Sequence, residues 1–387
     1  MKDKAGWNKY RKKRVSIEPK EAELLIESLT NSGDGLGRLD ERVVFVPYTM
    51  PGDKVKIKIN QRKKTYALAE VVELVEPSPD RTEPKCAYFT QCGGCDWQHV
   101  PYPLQLAAKI GQLKDTLQRI GGLGEIPIQP IVSSDQPYGY RNRIQGEIRQ
   151  SAFHYKRRRS DQHIAISQCE IAEKPINNWL ESELGDAPKG RVEIALVDNQ
   201  VIVLPINENN STELGFRQVN SHVSQVLTEK LLSIIEQSIC KNIIDLYCGR
   251  GTWTNLIATK HPDKEIIGVD SSPDNIKTAK ETAQIKKLNN VRFQLSTVEK
   301  TIRSLPVSSS LCIVDPPRAG LDSKVCESLI QSRPEELIYI SCHPATLARD
   351  LKVFTEAGYS ISNLVPLDMF PQTAHLESLV QLTAKNQ

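Results

Sequence analysis

The sequence predicts an α/β fold, with a doubly wound parallel sheet in the last third, a small β-barrel at the start and a central α/β region between them. Three observations support this prediction. Short strand-like runs and glycine-rich turns fill the start of the chain, a helical pattern at Leu104–Ile120 precedes strands such as Arg191–Val197 and Val201–Leu204, and helices alternate with buried strands from Phe216 onward. A chain of 387 residues also exceeds one core of ordinary size, so several domains are expected.

The barrel prediction rests on residues 17–77, where short apolar runs alternate with turn signals. The runs and turns are Leu24–Leu29, Asn31–Gly37, Val43–Val46, Pro51–Asp53, Val55–Ile59 and Ala67–Leu74. Five strands of this length suit a small barrel, and such barrels often hold single-stranded nucleic acid on one face.

Basic residues are unevenly distributed, although the formal net charge is only +3. They cluster at residues 9–14, 62–64 and 156–159. Such clusters suit a phosphate backbone, while any single one is also compatible with a solvated loop. No run approaches the roughly 20 apolar residues of a membrane span, and the N-terminus lacks the apolar segment of a signal peptide. The sequence therefore predicts a cytoplasmic protein that does not associate with membranes.

The first candidate site lies where the strand Asn242–Leu246 ends in a turn that carries Gly249 and Gly251 and then enters a helix. Glycines let a ligand approach the backbone, and the first amides of the helix would face a carboxylate. Asp270 ends the next strand, in position to accept hydrogen bonds from ribose hydroxyls. A dehydrogenase has a similar pattern, but the G-x-G-x-x-G fingerprint of dehydrogenases is absent from this turn. The other alternative is a structural tight turn that binds no ligand.

A further strand, Ser310–Val314, ends in Asp315, which two prolines follow. The prolines fix the loop geometry where Asp315 would face the same crevice. Asp245, Asp270 and Asp315 then all lie at carboxyl ends of parallel strands, where ligands bind in this architecture. Enzymes that methylate nucleobases with S-adenosylmethionine often carry such an acid-proline loop, so the pattern favours that class of enzyme.

The next strand, Leu337–Ser341, delivers Cys342 to the same edge of the sheet, and a later turn places His375 and Glu377 on one face of another strand. A small core residue is the alternative for Cys342. C5 of uracil is a poor nucleophile until a thiolate adds to C6, and a base must then remove the C5 proton. The sequence predicts Cys342 as nucleophile and Glu377 as base, with His375 as the alternative base.

Four cysteines outside the last domain form a candidate metal site. Cys86, Cys92 and Cys95 follow the pattern C-x5-C-x2-C, and Cys169 would supply the fourth thiolate. This spacing suits either zinc or an iron–sulfur cluster, and unrelated reduced thiols are the remaining alternative. A radical S-adenosylmethionine enzyme would need a different spacing, C-x3-C-x2-C.

Four motifs resemble, in order, those of the bacterial uridine-5 RNA methyltransferases that modify ribosomal or transfer RNA. They are Asp-Leu-Tyr-Cys-Gly at 245–249, Asp-Pro-Pro-Arg-Ala-Gly at 315–320, Ser-Cys-His-Pro-Ala-Thr-Leu-Ala-Arg-Asp at 341–350 and His-Leu-Glu-Ser at 375–378. The resemblance covers nearly the whole chain. It implies a Rossmann-like class I methyltransferase domain with Cys342 as nucleophile and Glu377 as base. Two departures, Thr252 and His343, stand where relatives often have asparagine.

The same resemblance implies the ligands. The implied contacts to S-adenosylmethionine are Gln218, Tyr247, Asp270 and Asp315. The barrel resembles the TRAM domain, which binds RNA. The ribosomal members of the family hold a [4Fe-4S] cluster on this cysteine arrangement, which favours a cluster over zinc and 23S ribosomal RNA over transfer RNA.

The expected organisation is a basic tail at 1–16, a TRAM-like barrel at 17–77, a central region with the cysteine site at 78–215 and the methyltransferase domain at 216–387. All three folded parts are expected to contact RNA, and the protein is expected to be a monomer. A second hypothesis of another class is an RNA-binding or folding factor that binds the cofactor without chemistry.

Overall fold

The computed structural model describes residues 21–182, 187–206, 214 and 217–385. The chain divides into two compact units, Met1–Thr82 and Glu83–Gln387. The predicted basic tail at 1–16 and Phe216, the predicted first residue of the last domain, lie outside the described residues. The expected domain boundaries therefore stay predictions.

The first unit is a closed barrel of five strands, which confirms the predicted small barrel. The strands are β1 (Glu21–Leu29), β2 (Gly35–Leu39), β3 (Arg42–Val46), β4 (Lys54–Arg62) and β5 (Tyr66–Glu76). Strand β2 begins inside the segment predicted as a turn. The sequence did not indicate it because glycines carry no side chain to show a strand pattern. A Cβ on Gly35 would lie 2.1 Å from Thr49 Oγ1, so the close approach of the chain there needs glycine.

The second unit begins with a long helix and a five-stranded antiparallel sheet. The elements are α1 (Tyr102–Arg119), β6 (Arg143–Arg149), β7 (Ala152–Lys156), β8 (His163–Ile166), α2 (Lys174–Leu180), β9 (Gly190–Val197) and β10 (Gln200–Pro205). The strands are ordered β10-β9-β6-β7-β8. The predicted helix at Leu104–Ile120 and the two predicted strands are confirmed. Strands β7 and β8 form a hairpin that carries the basic cluster at 156–159, here called the basic hairpin.

The last part of the second unit is a seven-stranded sheet with helices. The elements are α3 (Ser221–Gln237), β11 (Asn242–Leu246), α4 (Thr252–Lys260), β12 (Glu265–Asp270), α5 (Pro273–Ile285), β13 (Val291–Leu295), α6 (Val298–Thr301), β14 (Ser310–Val314), α7 (Ser323–Ser332), β15 (Glu336–Ser341), α8 (Pro344–Glu356), β16 (Tyr359–Leu367) and β17 (Glu377–Ala384). The strand order is β13-β12-β11-β14-β15-β17-β16. Strands β11 to β15 are parallel, as predicted, and β17 runs antiparallel to both of its neighbours.

Helix α1 precedes the central sheet in sequence but packs against the seven-stranded sheet. Its Leu113 and Leu117 are buried in one core with residues of β11, β14 and β15. Burial of such side chains is the main stabilising contribution to folding. Across the part of the chain that the structure describes, no helix has the length and apolar character that a membrane crossing requires.

The antiparallel pairing of β15 with β17 sets the geometry of the predicted catalytic residues. Ser341 at the end of β15 lies opposite Ser378 near the start of β17. Cys342 follows Ser341, and Glu377 precedes Ser378. The register therefore brings these two residues to the same end of the sheet, where the parallel strands have their carboxyl ends.

Candidate active site

A cavity of about 880 Å³ opens at the carboxyl ends of β11 and β14. Gln218, Tyr247 and Asp315, three of the four predicted cofactor contacts, line it together with Asp245 and Gly249. Small-molecule sites have volumes of roughly 300–1,000 Å³. The cavity therefore has the size and the position expected for a cofactor site in a doubly wound sheet.

The two glycines of the turn after β11 have different roles. Both adopt the left-handed region, with φ of 55° at Gly249 and 74° at Gly251. A Cβ on Gly249 would meet no atom within 4 Å, whereas one on Gly251 would lie 2.8 Å from Ala279 Cβ. Gly249 thus leaves room beside the cavity, and Gly251 permits the close packing of α4 against α5.

Asp270 is fixed by hydrogen bonds beside this turn. Its carboxylate accepts from the N–H of Gly249 at 2.9 Å, from the N–H of Ser272 at 2.8 Å and from Asn275 Nδ2 at 3.1 Å. Among the described residues that line the cavity, Asn275 is present and Asp270 is not. The ribose contact of Asp270 stays a prediction, and Asn275 is a neighbour that sequence reasoning missed.

Two carboxyl groups of the cavity resist ionisation. Burial raises the pKa of Asp245 to about 7, although the hydroxyl of Thr254, which donates to it at 2.5 Å, opposes the shift. Burial also raises the pKa of Asp315 to about 7, and the neighbouring Asp245 adds repulsion. A cationic ligand would relieve both effects because it favours the charged carboxylates. The sulfonium of S-adenosylmethionine is such a cation.

Cys342, Glu377 and Asp315 come together at the ends of β15, β17 and β14. The pKa of Cys342 is raised to about 11, mainly by burial and also by Glu377 and Asp315, while Arg318 opposes the shift. Burial and the nearby Asp315 raise the pKa of Glu377 well above its ordinary value, and the residue is only 2% exposed. The thiol and this carboxyl therefore both favour their protonated forms.

Arg318 and His375 form a pair beside these groups. Arg318 Nη2 lies 3.2 Å from His375 Nδ1. Burial, and then Arg318, lowers the pKa of His375 to about 4, so the imidazole is neutral at physiological pH. Because arginine can only donate, Nδ1 must accept this hydrogen bond and the ring proton lies on Nε2.

The two departures from the family pattern have clear positions. His343 is the N-cap of α8, and its Nδ1 accepts from the N–H of Thr346 at 3.4 Å. Asparagine is also a favoured N-cap, so the substitution preserves the local structure. Thr252 begins α4 and lines the cofactor cavity.

The four predicted metal-site cysteines, Cys86, Cys92, Cys95 and Cys169, line one pocket. Burial raises the pKa of Cys92 to about 11, and it also raises the pKa of Cys95 and of Cys169. Among the described residues, no group of three or more His, Cys, Asp or Glu side chains could hold a metal ion. The thiols are therefore gathered, but no metal cluster is shown.

Sequence reasoning missed several residues that support the cavity. Asn142 Nδ2 donates to the carbonyl oxygen of Gln218 at 3.1 Å, and Arg143 Nη1 donates to that of Arg217 at 3.2 Å. Asn142 and Arg143 also line the cavity. They come from the start of the central sheet, so no local pattern in the sequence indicates their contact with a segment more than 70 positions later.

Comparisons with known proteins agree with this arrangement. Residues 190–385 match the family model described as tRNA (Uracil-5-)-methyltransferase, and residues 18–72 match the TRAM domain. An uncharacterized RNA methyltransferase of Synechocystis is 31% identical over 94% of this chain and 96% of its own length. An uncharacterized RNA methyltransferase of Nostoc is also 31% identical, over 92% of this chain and 94% of its own length. The crystal structure of Pyrococcus abyssi tRNA (uracil-54, C5)-methyltransferase with S-adenosyl-L-homocysteine has a TM-score of 0.69 at 24% identity, covering 94% of this chain and all of that one.

The sheet, its cavity and the family match together define an S-adenosylmethionine-dependent methyltransferase. With the family match and the two relatives, the chain belongs to the RNA uracil-C5 methyltransferases and carries an N-terminal TRAM domain. It catalyses methylation of uracil C5 in RNA, and the substrate RNA binds through the methyltransferase and TRAM domains.

Cofactor affinity should increase with pH. Below about pH 7 the carboxyls of Asp245 and Asp315 are protonated, and a bound sulfonium lowers their pKa, so binding releases protons. We expect the affinity for S-adenosylmethionine to rise between about pH 5.5 and 7.5, by up to roughly tenfold per pH unit for each proton released. Calorimetry at several pH values measures the slope of the logarithm of the affinity against pH.

S-Adenosylhomocysteine, which lacks the sulfonium charge, is the matched control ligand and should show a weaker dependence. Asp245→Asn should reduce the slope for S-adenosylmethionine. Equal affinities across this pH range, or equal slopes for the two ligands, would contradict the assignment of the carboxyl pair to a cationic ligand.

Proposed function

We propose that the chain methylates C5 of a specific uridine in 23S ribosomal RNA through a covalent bond between Cys342 and C6 of the base. It acts in the cytoplasm as a monomer. The observation that carries the proposal is the register of β15 and β17, which brings Cys342 and Glu377 to one end of the sheet. Asp315 is close to both of them and also lines the cofactor cavity.

The residues support the following order of reaction steps. The Cys342 thiolate adds to C6, and the electrons of the C5–C6 double bond move toward C5 and the O4 carbonyl. Bound S-adenosylmethionine would supply an electrophilic methyl group. C5 forms a bond to this methyl group as the methyl–sulfur bond breaks, and S-adenosylhomocysteine is the leaving group. Glu377 then takes the C5 proton, the double bond forms again, and the thiolate leaves C6. In the protein alone Cys342 and Glu377 favour their protonated forms. Arg318 and the positive charge of a bound cofactor both favour the ionised forms that the reaction uses.

Glu377 suits the role of base better than His375. Its raised pKa makes its carboxylate a stronger base than that of an exposed glutamate. His375 has a lowered pKa and already accepts a hydrogen bond from Arg318 through Nδ1. We therefore assign proton removal to Glu377 and an orienting role to the Arg318–His375 pair.

Surface charge supports RNA binding outside the active site. Arg62, the last residue of β4, and Lys63 and Lys64, which follow it, are all exposed on the barrel. Lysine and arginine at such positions bind phosphates without reading sequence. A uridine in folded RNA must leave its stack to reach Cys342, so base flipping belongs to the proposal. Transfer RNA is the second candidate substrate, because the Pyrococcus enzyme of similar fold is named for uracil-54 of tRNA.

We also propose that the four-cysteine pocket holds a [4Fe-4S] cluster that acts as a structural staple. The proposal is supported by the position of Cys86, Cys92, Cys95 and Cys169, which all line one pocket. Four thiolates are the usual protein ligands of such a cluster. Arg141 also lines this pocket, and its buried Nε has no hydrogen-bond partner among the described residues. A cation there would compensate the negative charge of a cluster held by four thiolates.

The reaction is tested with the purified protein, labelled S-adenosylmethionine and unmodified 23S or transfer RNA, followed by mass spectrometry of RNA fragments. We expect 5-methyluridine at one site in 23S RNA. Cys342→Ala should bind the cofactor yet lose all turnover, and Glu377→Gln should lose roughly 10²–10⁴-fold.

Cys240→Ala is the matched control, because this buried thiol lies just before β11 at the amino ends of the strands. It should retain activity. If only transfer RNA is methylated, transfer RNA takes the place of 23S RNA as the substrate, and the proposed reaction still stands. Normal turnover by Cys342→Ala would contradict the covalent mechanism, and no product from the wild-type protein would favour a non-catalytic RNA-binding factor.

Metal analysis of anaerobically purified protein tests the cluster. We expect about four iron and four sulfide per chain, with visible absorbance of an iron–sulfur cluster. Cys95→Ser and Cys169→Ser should lose iron and absorbance, while Cys240→Ser should keep both. One zinc per chain without iron would contradict this part of the proposal.

A further inference from the structure

The turn at residues 368–376, between β16 and β17, carries His375 and leads directly into Glu377. Helix α1 holds it from one side. Lys109 Nζ donates to Asp368 Oδ1 at 2.5 Å, with both side chains fully buried. The N–H of Gln372 donates to Gln105 Oε1 at 3.0 Å. These contacts belong to the core, because Gln105 and Lys109 are both buried.

The loop of residues 86–96, which carries Cys86, Cys92 and Cys95, is here called the cysteine loop. Its Asp96, directly after Cys95, holds the same turn. Its N–H donates to the carbonyl oxygen of Gln372 at 2.9 Å, and its Oδ2 accepts from the N–H of Ala374 at 3.3 Å. Its Oδ1 accepts from Arg158 Nη1 at 2.5 Å. One side chain therefore connects the basic hairpin to the residue that precedes His375.

The basic hairpin is itself held against the cysteine loop. The N–H of Gly93 donates to the carbonyl oxygen of Lys156 at 3.1 Å. A Cβ on Gly93 would lie 3.2 Å from Arg158 Cα, so the two chain segments are in direct contact. Arg158 is only 13% exposed, and its guanidinium serves the pair with Asp96 rather than an open surface. In the sequence alone, nothing distinguishes Arg158 from its basic neighbours.

We propose that Asp96, through its ion pair with Arg158, is a positioning residue for methyl transfer that sets the location of His375 and Glu377. A general base must lie within hydrogen-bond reach of the proton it removes. Two contacts of Asp96 reach this turn, and both are to backbone atoms within five residues of Glu377. The third contact, to Arg158, holds the Asp96 side chain in place. This inference rests on the proposed function, in which Glu377 is the base.

The test compares steady-state kinetics of the holoenzyme and of its Asp96→Asn variant, with the RNA that the wild-type protein methylates. A displaced base slows the chemical step, so kcat should fall by roughly 10- to 100-fold. The KM for RNA and the affinity for S-adenosylmethionine should change less than threefold. Asp161→Asn is the matched control, because this carboxylate is 99% exposed and pairs with Lys156 in the same hairpin.

Arg158→Gln should lower kcat to a similar extent, and Arg158→Lys, which keeps the charge, should restore most of it. The double variant Asp96→Asn/Arg158→Gln should be no slower than the slower single variant, because the two side chains act as one unit. If Asp96→Asn does not fold, the kcat values of Arg158→Gln and Arg158→Lys test the inference in its place. Wild-type kcat in Arg158→Gln, or a change in KM alone, would overturn the inference. Inactivity of the wild-type protein would instead refute the proposed function.

Discussion

The candidate active site depends on the antiparallel pairing of β17 with β15. Five parallel strands alone would bring Asp245, Asp270, Asp315 and Cys342 to one edge of the sheet, as doubly wound folds do. A base from the C-terminal segment can join them only if the chain returns in the opposite direction and enters the sheet beside the strand that carries the nucleophile. Because side chains alternate along a strand, a shift of one residue would direct Glu377 to the other face. The turn at 368–376 and its contacts with α1 and the cysteine loop therefore help to fix the register of β17 with β15.

Low solvent access gives this site its electrostatic character. The carboxyls of Asp245, Asp315 and Glu377 and the thiol of Cys342 all have raised pKa values, so the protein alone disfavours their charged forms. Such groups interact strongly with a cation because little water screens them. A bound sulfonium would shift Asp245 and Asp315 toward their charged forms. In this account the cofactor provides both the methyl group and the charge that organises the carboxyls around it.

Much of this could be predicted from the sequence, because local patterns indicate strands, turns and acids at strand ends. The barrel, the parallel sheet and the residues that gather at its edge follow such patterns. Other features depend on contacts between distant segments. Strand β2 is hidden by its glycines, α1 packs on a sheet far along the chain, and Asn142 and Arg143 support a segment that the sequence does not connect with them. Gly251 was expected to admit a ligand, and its packing against Ala279 becomes visible only in three dimensions.

The covalent step is the central claim, and RNA that contains 5-fluorouridine at the target position tests it most directly. Fluorine at C5 cannot leave as a proton does, so Glu377 could not complete the elimination and the Cys342–C6 bond should persist. We predict a denaturation-resistant complex of protein and RNA that forms only with S-adenosylmethionine, with mass spectrometry locating the methylated nucleotide on the peptide that contains Cys342. Attachment at another residue, or the absence of any complex from an enzyme that methylates the normal RNA, would contradict the account.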